Sequence, residues 1–185
     1  MTSERADQGS PDGDAAVVDA TRSWLEKVVI GLNLCPFAKA VHAAGQIRYR
    51  VSAATTPEGL LKDLAEELIL LSETDAETID TTLLIHPQVL TDFLDYNDFA
   101  GVIDAAVSKL GLYGVIQVAT FHPHYQFAGT APDDVTNRTN RSPYPTLHLL
   151  REASVERALE SYPNADQIPA RNMETMRRLE EEGRA

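Results

Sequence analysis

Short apolar segments with strand character alternate along this chain with longer amphipathic helical segments, and this alternation constrains the fold more than any other feature. The segments "QIRYRVSA", "DTTLLIHP", "VIQVATFH" and "TLHLLRE" have the lengths and the apolar or alternating patterns of strands. Helical periodicity separates the first from the second and the second from the third. Such a succession is typical of an α/β layer in which crossover helices link parallel strands.

We therefore predict an α/β fold, a two- or three-layer sandwich with a mainly parallel four-stranded sheet. Its core has the order β-α-β-α-β-β and is flanked by N-terminal and C-terminal helices. The first helix is predicted from Ala15 to about Leu32, and the helix before the third strand from about Thr91 to Leu110. A long irregular loop, not a helix, leads to the fourth strand, which is therefore a candidate for antiparallel pairing.

The length of 185 residues is that of one domain. We predict a disordered acidic tail over residues 1–14, a single α/β domain over 15–179 and a frayed C-terminal tail over 180–185. The net charge of −12, with no compensating basic block, argues against nucleic acid and anionic membranes as partners. One cysteine, no long apolar segment and no apolar leader favour a cytoplasmic location, and we expect no cofactor.

Two histidines follow neighbouring strands of the predicted sheet. His86 ends the second strand and His122 ends the third, so parallel strands would bring both rings to one edge. Ligands of open α/β sheets bind beyond the carboxyl ends of the strands. The long loop after His122 also starts there and contains Arg138 and Arg141, and guanidinium groups bind carboxylate or phosphate. The pattern predicts a site for a small anionic molecule at this edge.

In this hypothesis His122 is a general acid/base, because imidazole is both neutral and charged near neutral pH. Cys35 is the second candidate catalytic residue, since a thiol before a proline at a helix start has a lowered pKa. The candidate substrate-binding residues are Arg141, Asn140, Tyr125, Gln126, Ser142 and Arg151.

Structural roles remain open for the same residues. His122 can cap its strand through a bond to a nearby carbonyl, and the loop arginines can tie the loop down. Cys35 can be a buried wall residue, because free cysteine is among the most buried residue types. His148 alternates within "TLHLLRE" and is expected to be a packed, hydrogen-bonded ring.

A metal centre is a further alternative at the same edge. His86, His122 and His124 could converge there, but zinc or iron needs at least three well-placed ligands. No motif with the spacing of known ligand sets supports it, and Pro123 disturbs the strand between the last two histidines. We therefore assign no metal ligands.

Three separated motifs, "LNLCPFA", "FHPHYQFAG" and "NRSPYPTLHLLRE", resemble the bacterial family called domain of unknown function 1415. The resemblance runs from about Trp24 to Met176. It implies a bacterial origin and a single compact domain, and it implies no activity and no catalytic residues.

The sequence thus favours a small cytoplasmic enzyme that acts on a small anionic metabolite through a His/Arg site at the sheet edge. The first alternative is a non-catalytic module that binds a ligand or a partner protein. The second is a metal-dependent enzyme that uses the strand-end histidines.

Overall fold

Four strands form one open mixed sheet in the computed structural model, which describes residues 11–160, 162 and 164–184. The strands are β1 (Ile47–Val51), β2 (Thr81–Ile85), β3 (Ile116–Phe121) and β4 (Thr146–Arg151). They lie in the order β1-β2-β4-β3, so β4 is inserted between the two strands that precede it in the chain. The strands agree with the four predicted segments.

The prediction of a mainly parallel sheet is wrong. Only β1 and β2 pair in parallel, whereas β4 pairs antiparallel with both β2 and β3. The physical reason is the connection to β4, which is a loop without a crossover helix and returns the chain in the opposite direction. The strands β1, β2 and β3 still run the same way, because β2 and β3 are each antiparallel to β4.

Helices cover both faces of the sheet. They are α1 (Pro11–Trp24), α2 (Ala38–Ala43), α3 (Pro57–Glu73), α4 (Phe93–Asp98), α5 (Ala100–Lys109), α6 (Glu152–Glu160) and α7 (Ile168–Glu181). The first helix continues as a π-helical segment, Leu25–Ile30, and 3₁₀ turns occupy Val135–Asn140 and Ala165–Gln167. The single helix predicted from about Thr91 to Leu110 is divided at Phe99 into α4 and α5.

The predicted tails lie partly outside the described residues, which exclude 1–10 and 185. Within the described range, α1 already begins at Pro11 and α7 extends to Glu181. None of the helices in the described ranges combines the length and the apolar character that crossing a bilayer requires.

One face of the sheet carries the main hydrophobic core. Alternate residues of the strands point to this face, including Leu84 of β2, Leu147 and Leu149 of β4 and Ile116 of β3. The helix α3 packs a stripe of four leucines against them, and α5 adds two more apolar side chains. The four leucines, Leu60, Leu64, Leu68 and Leu71, are 0% exposed.

The opposite face is filled at only one end. Near the carboxyl ends of β1 and β2, Val51, Leu83 and Ile85 pack against Val17 and Val18 of α1. Toward the amino ends of the same strands, α1 has given way to the π-helical segment and the turn that follows it. That half of the face borders a large cleft.

The edge strand β1 is tied to α3 by a buried carboxylate. Glu67 is 4% exposed and accepts two hydrogen bonds from Arg48, from Nε at 2.7 Å and from Nη2 at 2.9 Å. Arg50 lies 3.7 Å from the same carboxylate. A bidentate guanidinium pair of this kind is geometrically specific, so it fixes how α3 crosses the edge strand.

We expect Glu67→Ala to lower the free energy of unfolding by about 2 kcal/mol, because Arg48 then stays partly buried without its acceptor. Glu66→Ala is the matched control on the same helix, since the Glu66 side chain is 60% exposed, and it should change stability by less than about 0.5 kcal/mol. Urea unfolding of both variants measures the difference. Equal effects would show that the pair does not support the fold.

Candidate functional site

A cleft of about 740 Å³ lies on the sheet face opposite the main core. Its floor is formed by side chains from all four strands. One wall comes from the end of α1, the π-helical segment and α2, and the other comes from α6. This volume lies within the range of pockets that hold small molecules.

A small side chain, that of Ala119, lies in the floor of the cleft. Ala119 of β3 lies beside His148 of β4, which on its other side pairs with Leu83 of β2. Phe121, two residues after Ala119, contacts Trp24 edge to face at 5.4 Å between ring centroids. The cleft therefore has an aromatic end at Trp24 and Phe121 and a gap above Ala119.

His148 is the titratable ring in the middle of this floor. It is half-buried and lies among the residues that line the cleft, and its ring is 6.1 Å from that of Phe121. Neither ring nitrogen makes a hydrogen bond to any residue in the described part of the chain. Removal from bulk water lowers the pKa of His148 to about 4, so the ring is neutral at pH 7. The expectation of a hydrogen-bonded ring was wrong.

Arg151 stands at the polar end of the cleft. Its Nε donates to the Ile79 carbonyl at 3.2 Å, and its Nη2 donates to the carbonyls of Thr74 and Ile79. These bonds orient the guanidinium without neutralising it. Within the described residues, Nη1 has no hydrogen-bond partner, and no carboxylate lies within 4.0 Å of the guanidinium.

Other charges lie at the same end of the cleft. Asp80 accepts a hydrogen bond from Ser154, Arg157 donates to the same hydroxyl, and Glu77 is also among the lining residues. The formal charges of the two carboxylates, Asp80 and Glu77, are equal and opposite to those of the two guanidinium groups, Arg151 and Arg157, so this end of the cleft has no net charge from them. What distinguishes Arg151 is that backbone carbonyls hold it in a fixed direction.

Cys35 lies in the cleft wall beside Pro36 and Phe37. Burial raises the pKa of its thiol, although backbone N–H groups of Phe37 and Ala38 act in the opposite direction. The sequence predicted a lowered pKa, and the structure reverses this because desolvation of the thiolate outweighs the helix start. The thiol is therefore protonated at pH 7. This agrees with the alternative role of Cys35, a buried residue in the wall.

The sequence-predicted edge site is a closed region. His122 is 0% exposed, and its Nδ1 accepts a hydrogen bond from the His124 N–H at 3.0 Å. Its ring lies between those of Phe93 and Tyr96, at 5.5 and 5.1 Å. Burial lowers the pKa of His122. The ring therefore lacks the solvent access that a general acid/base for an external substrate requires.

His86 reaches the same region from β2, as the parallel direction of β2 and β3 predicts. It is 0% exposed, its Nδ1 lies 2.9 Å from the Val89 carbonyl, and its ring stacks on that of Tyr96 at 5.6 Å. A carbonyl only accepts, so we assign the proton to Nδ1. Burial lowers the pKa of His86 to about 4.

Arg141 organises the loop between β3 and β4. Its Nε donates to the Tyr125 carbonyl at 3.2 Å and its Nη2 donates to the Pro132 carbonyl at 2.7 Å. Asn140 donates through its amide to the Thr120 carbonyl, and its own carbonyl accepts from the His122 N–H. The structure thus brings His122, Tyr125, Asn140 and Arg141 together, but through bonds within the loop.

The remaining predicted loop residues make similar internal bonds. Gln126 donates to the Thr130 carbonyl at 2.6 Å, and Ser142 donates to the Tyr144 carbonyl at 2.6 Å. Sequence reasoning missed Asn137, which is 0% exposed and whose side chain accepts from the Phe127 N–H and donates to the Ala131 carbonyl. The catalytic and substrate-binding roles assigned to this loop stay predictions.

No group of three or more histidine, cysteine, aspartate or glutamate side chains in the described ranges is placed to hold a metal ion. His86 and His122 share Tyr96 as a neighbour, and His124 is exposed.

Of the predicted residues, the structure brings only Cys35 and Arg151 to the large cleft. Sequence reasoning missed Trp24, Phe121 and His148 as its lining. A signal was present for His148, because the alternation of β4 puts it on the same face as Leu150 and opposite the Leu147 and Leu149 side chains. No pattern in the sequence shows that helices leave this part of the face open.

We expect the free energy of unfolding to fall as the pH decreases from about 6.5 toward 4. Above this pH range His86 is neutral in both the folded and the unfolded protein. Within the range the imidazole of the unfolded chain binds a proton, whereas the imidazole of the folded protein does not. The loss is roughly 1.4 kcal/mol per pH unit for each such ring. Urea unfolding of the parent and His86→Asn at pH 8, 6.5 and 5 measures it. From pH 6.5 to 5 the variant should lose about 1.6 kcal/mol less; parallel curves would contradict the lowered pKa.

We expect Arg141→Ala to lower stability by about 1–2 kcal/mol, because two loop carbonyls lose their donors. Arg141→Lys should restore little, since an ammonium lacks the planar fork. Arg138→Ala is the matched control, because Arg138 is exposed and its loss should cost less than about 0.5 kcal/mol. Urea unfolding and the rate of proteolysis within residues 123–145 test this. A neutral Arg141→Ala would leave the guanidinium free for an external anion.

A comparison with protein families finds one whose description is "Protein of unknown function (DUF1415)", and its model matches residues 16–185. No curated protein and no solved structure matches the chain. The family match covers nearly the whole sequence and confirms the resemblance carried by the three motifs. The chain therefore belongs to the family described as Protein of unknown function (DUF1415).

Proposed function

We propose that this protein binds a small amphipathic molecule in the cleft, with an apolar body above Ala119 and an anionic end at Arg151. The cleft itself is the observation that carries the proposal. A volume of about 740 Å³ beside the sheet is large for a space left by imperfect packing, because protein interiors are close-packed. Mostly apolar walls with a few convergent polar groups are typical of ligand sites.

The orientation of Arg151 supports an anionic end. Three hydrogen bonds to two backbone carbonyls fix its guanidinium, and Nη1 keeps two donors without a partner in the described part of the chain. A carboxylate can accept from such donors in a charge-assisted bond. Asp80 and Glu77 lie at the same end and favour a cation instead, so ligands of both signs belong in the test.

Binding has better support than catalysis at the predicted edge. His122 has no exposed surface, and Nε and Nη2 of Arg141 are engaged by loop carbonyls. In the cleft, burial keeps the Cys35 thiol protonated and the His148 ring neutral. The proposal therefore takes the form of the ligand-binding alternative, moved from the edge of the sheet to its face.

The chain provides its own probe for the experiment. Trp24 is the only tryptophan and lines the cleft. We expect octanoate to change its fluorescence and to bind about tenfold more tightly than octylamine, with octanol between them. Arg151→Met should remove the preference for octanoate over octanol. Thermal unfolding of the variant checks that loss of the bonds to Thr74 and Ile79 has not unfolded it.

Ala119→Phe should abolish binding, because the larger ring fills the gap in the cleft floor. Ala105→Phe, at an exposed position on α5, is the matched control and should leave binding unchanged. The only cysteine gives a second readout, since octanoate should slow alkylation of Cys35 by iodoacetamide. Equal binding of octanoate by the parent and Ala119→Phe would rule out the cleft as the binding site. Tighter binding of octylamine than of octanoate would show that the site prefers a cation.

A further inference from the structure

His148 leaves hydrogen-bonding capacity open in the apolar part of the cleft. A neutral imidazole carries one N–H donor and one nitrogen acceptor. For His148 neither is used by another residue in the described ranges, and the half-buried ring lines the cleft. A ligand in the cleft can therefore pair with a nitrogen that the protein itself leaves unused.

The residues directly opposite His148 on the neighbouring strands are apolar. On the sheet face the ring is flanked by Leu83 and Ala119, and the nearest aromatic ring is that of Phe121. His86 and His122 each bond the backbone through Nδ1, and the Nε2 of each is buried away from the cleft. His148 differs from them because its ring lines the cleft and neither of its nitrogens bonds a residue in the described ranges.

His148 and Arg151 lie at different places along β4. They are three residues apart, which corresponds to roughly 10 Å between backbone positions in an extended strand. Strand alternation turns the Arg151 side chain away from the face that carries His148, and the Thr74 and Ile79 carbonyls hold its guanidinium at the end of the cleft. A molecule that reaches both has polar groups at its two ends and an apolar segment between them.

We propose that His148 is a specificity-determining residue that recognises a hydroxyl group on a ligand whose anionic group binds at Arg151. The ligand is thus a hydroxylated apolar carboxylate. A hydroxyl group both donates and accepts, so it satisfies the imidazole nitrogen that faces it in either tautomer. This inference rests on the proposed binding of an amphipathic anion in the cleft, and it adds the chemical class of that molecule.

Octanoate and its derivative with a terminal hydroxyl group are the two probes of the test. The parent protein should bind the hydroxylated probe about tenfold more tightly, as measured by Trp24 fluorescence and by calorimetry. His148→Phe should lose this preference, because the phenyl ring is apolar and of similar shape. His148→Gln, which keeps a donor and an acceptor, should retain part of it. Arg151→Met should weaken both probes by a similar factor and leave their ratio unchanged.

The outcomes separate this inference from the proposed function. Equal affinities for the two probes in the parent, or a preference that survives in His148→Phe, would overturn the role of His148 while binding in the cleft stands. Failure of both probes to bind would overturn the two proposals together. Thermal unfolding of His148→Phe shows that it folds, and octanoate binding by this variant shows that its cleft is intact.

Discussion

The structure depends on the antiparallel insertion of β4 between β2 and β3. This pairing joins β3 to the sheet, because without it β3 would have no partner among the described strands. It also decides where polar side chains lie. It puts His148 in the middle of the sheet and brings Arg151, at the end of β4, to the amino ends of β1 and β2. The loop that leads to β4 occupies the carboxyl edge. Hydrogen bonds that Asn137 and Arg141 make with other residues of the loop hold it together.

The two faces of the sheet have different uses because helices cover them differently. On one face α3 presents a continuous stripe of leucines to the strands, and the core is close-packed. On the other face α1 covers the strands near their carboxyl ends and then changes to a π-helical segment, which leads into the turn at Cys35. The helix α1 therefore does not cover the amino-terminal half of these strands. The cleft follows from this change of path, and the small side chain of Ala119 enlarges it.

Chemistry was expected at the carboxyl edge, and the histidines do meet there. His86 and His122 both contact Tyr96, as the common direction of β2 and β3 requires. The general rule for open α/β sheets applies to a crevice between crossover connections. Here the connection between β3 and β4 is a loop that crosses the edge, so the rings are buried and neutral and the crevice is filled. Among the described residues, Nε2 of His86 and Nε2 of His122 stay buried there without a partner, whereas the His148 ring faces the open cleft on the face of the sheet.

The sequence by itself determined the four strands, the helices between the first three and the polar character of the loop, because these follow from local periodicity and from the turn and cap residues. Alternation on β4 also determined that His148 and Leu150 share a face. The tertiary structure decided the position of β4, the closure of the carboxyl edge and the cleft. These depend on which strands pair and where a helix ends its contact with the sheet, and such long-range contacts leave no periodic signal in a single chain. For the same reason Arg151 and Cys35 could be named from sequence, but their common cleft could not.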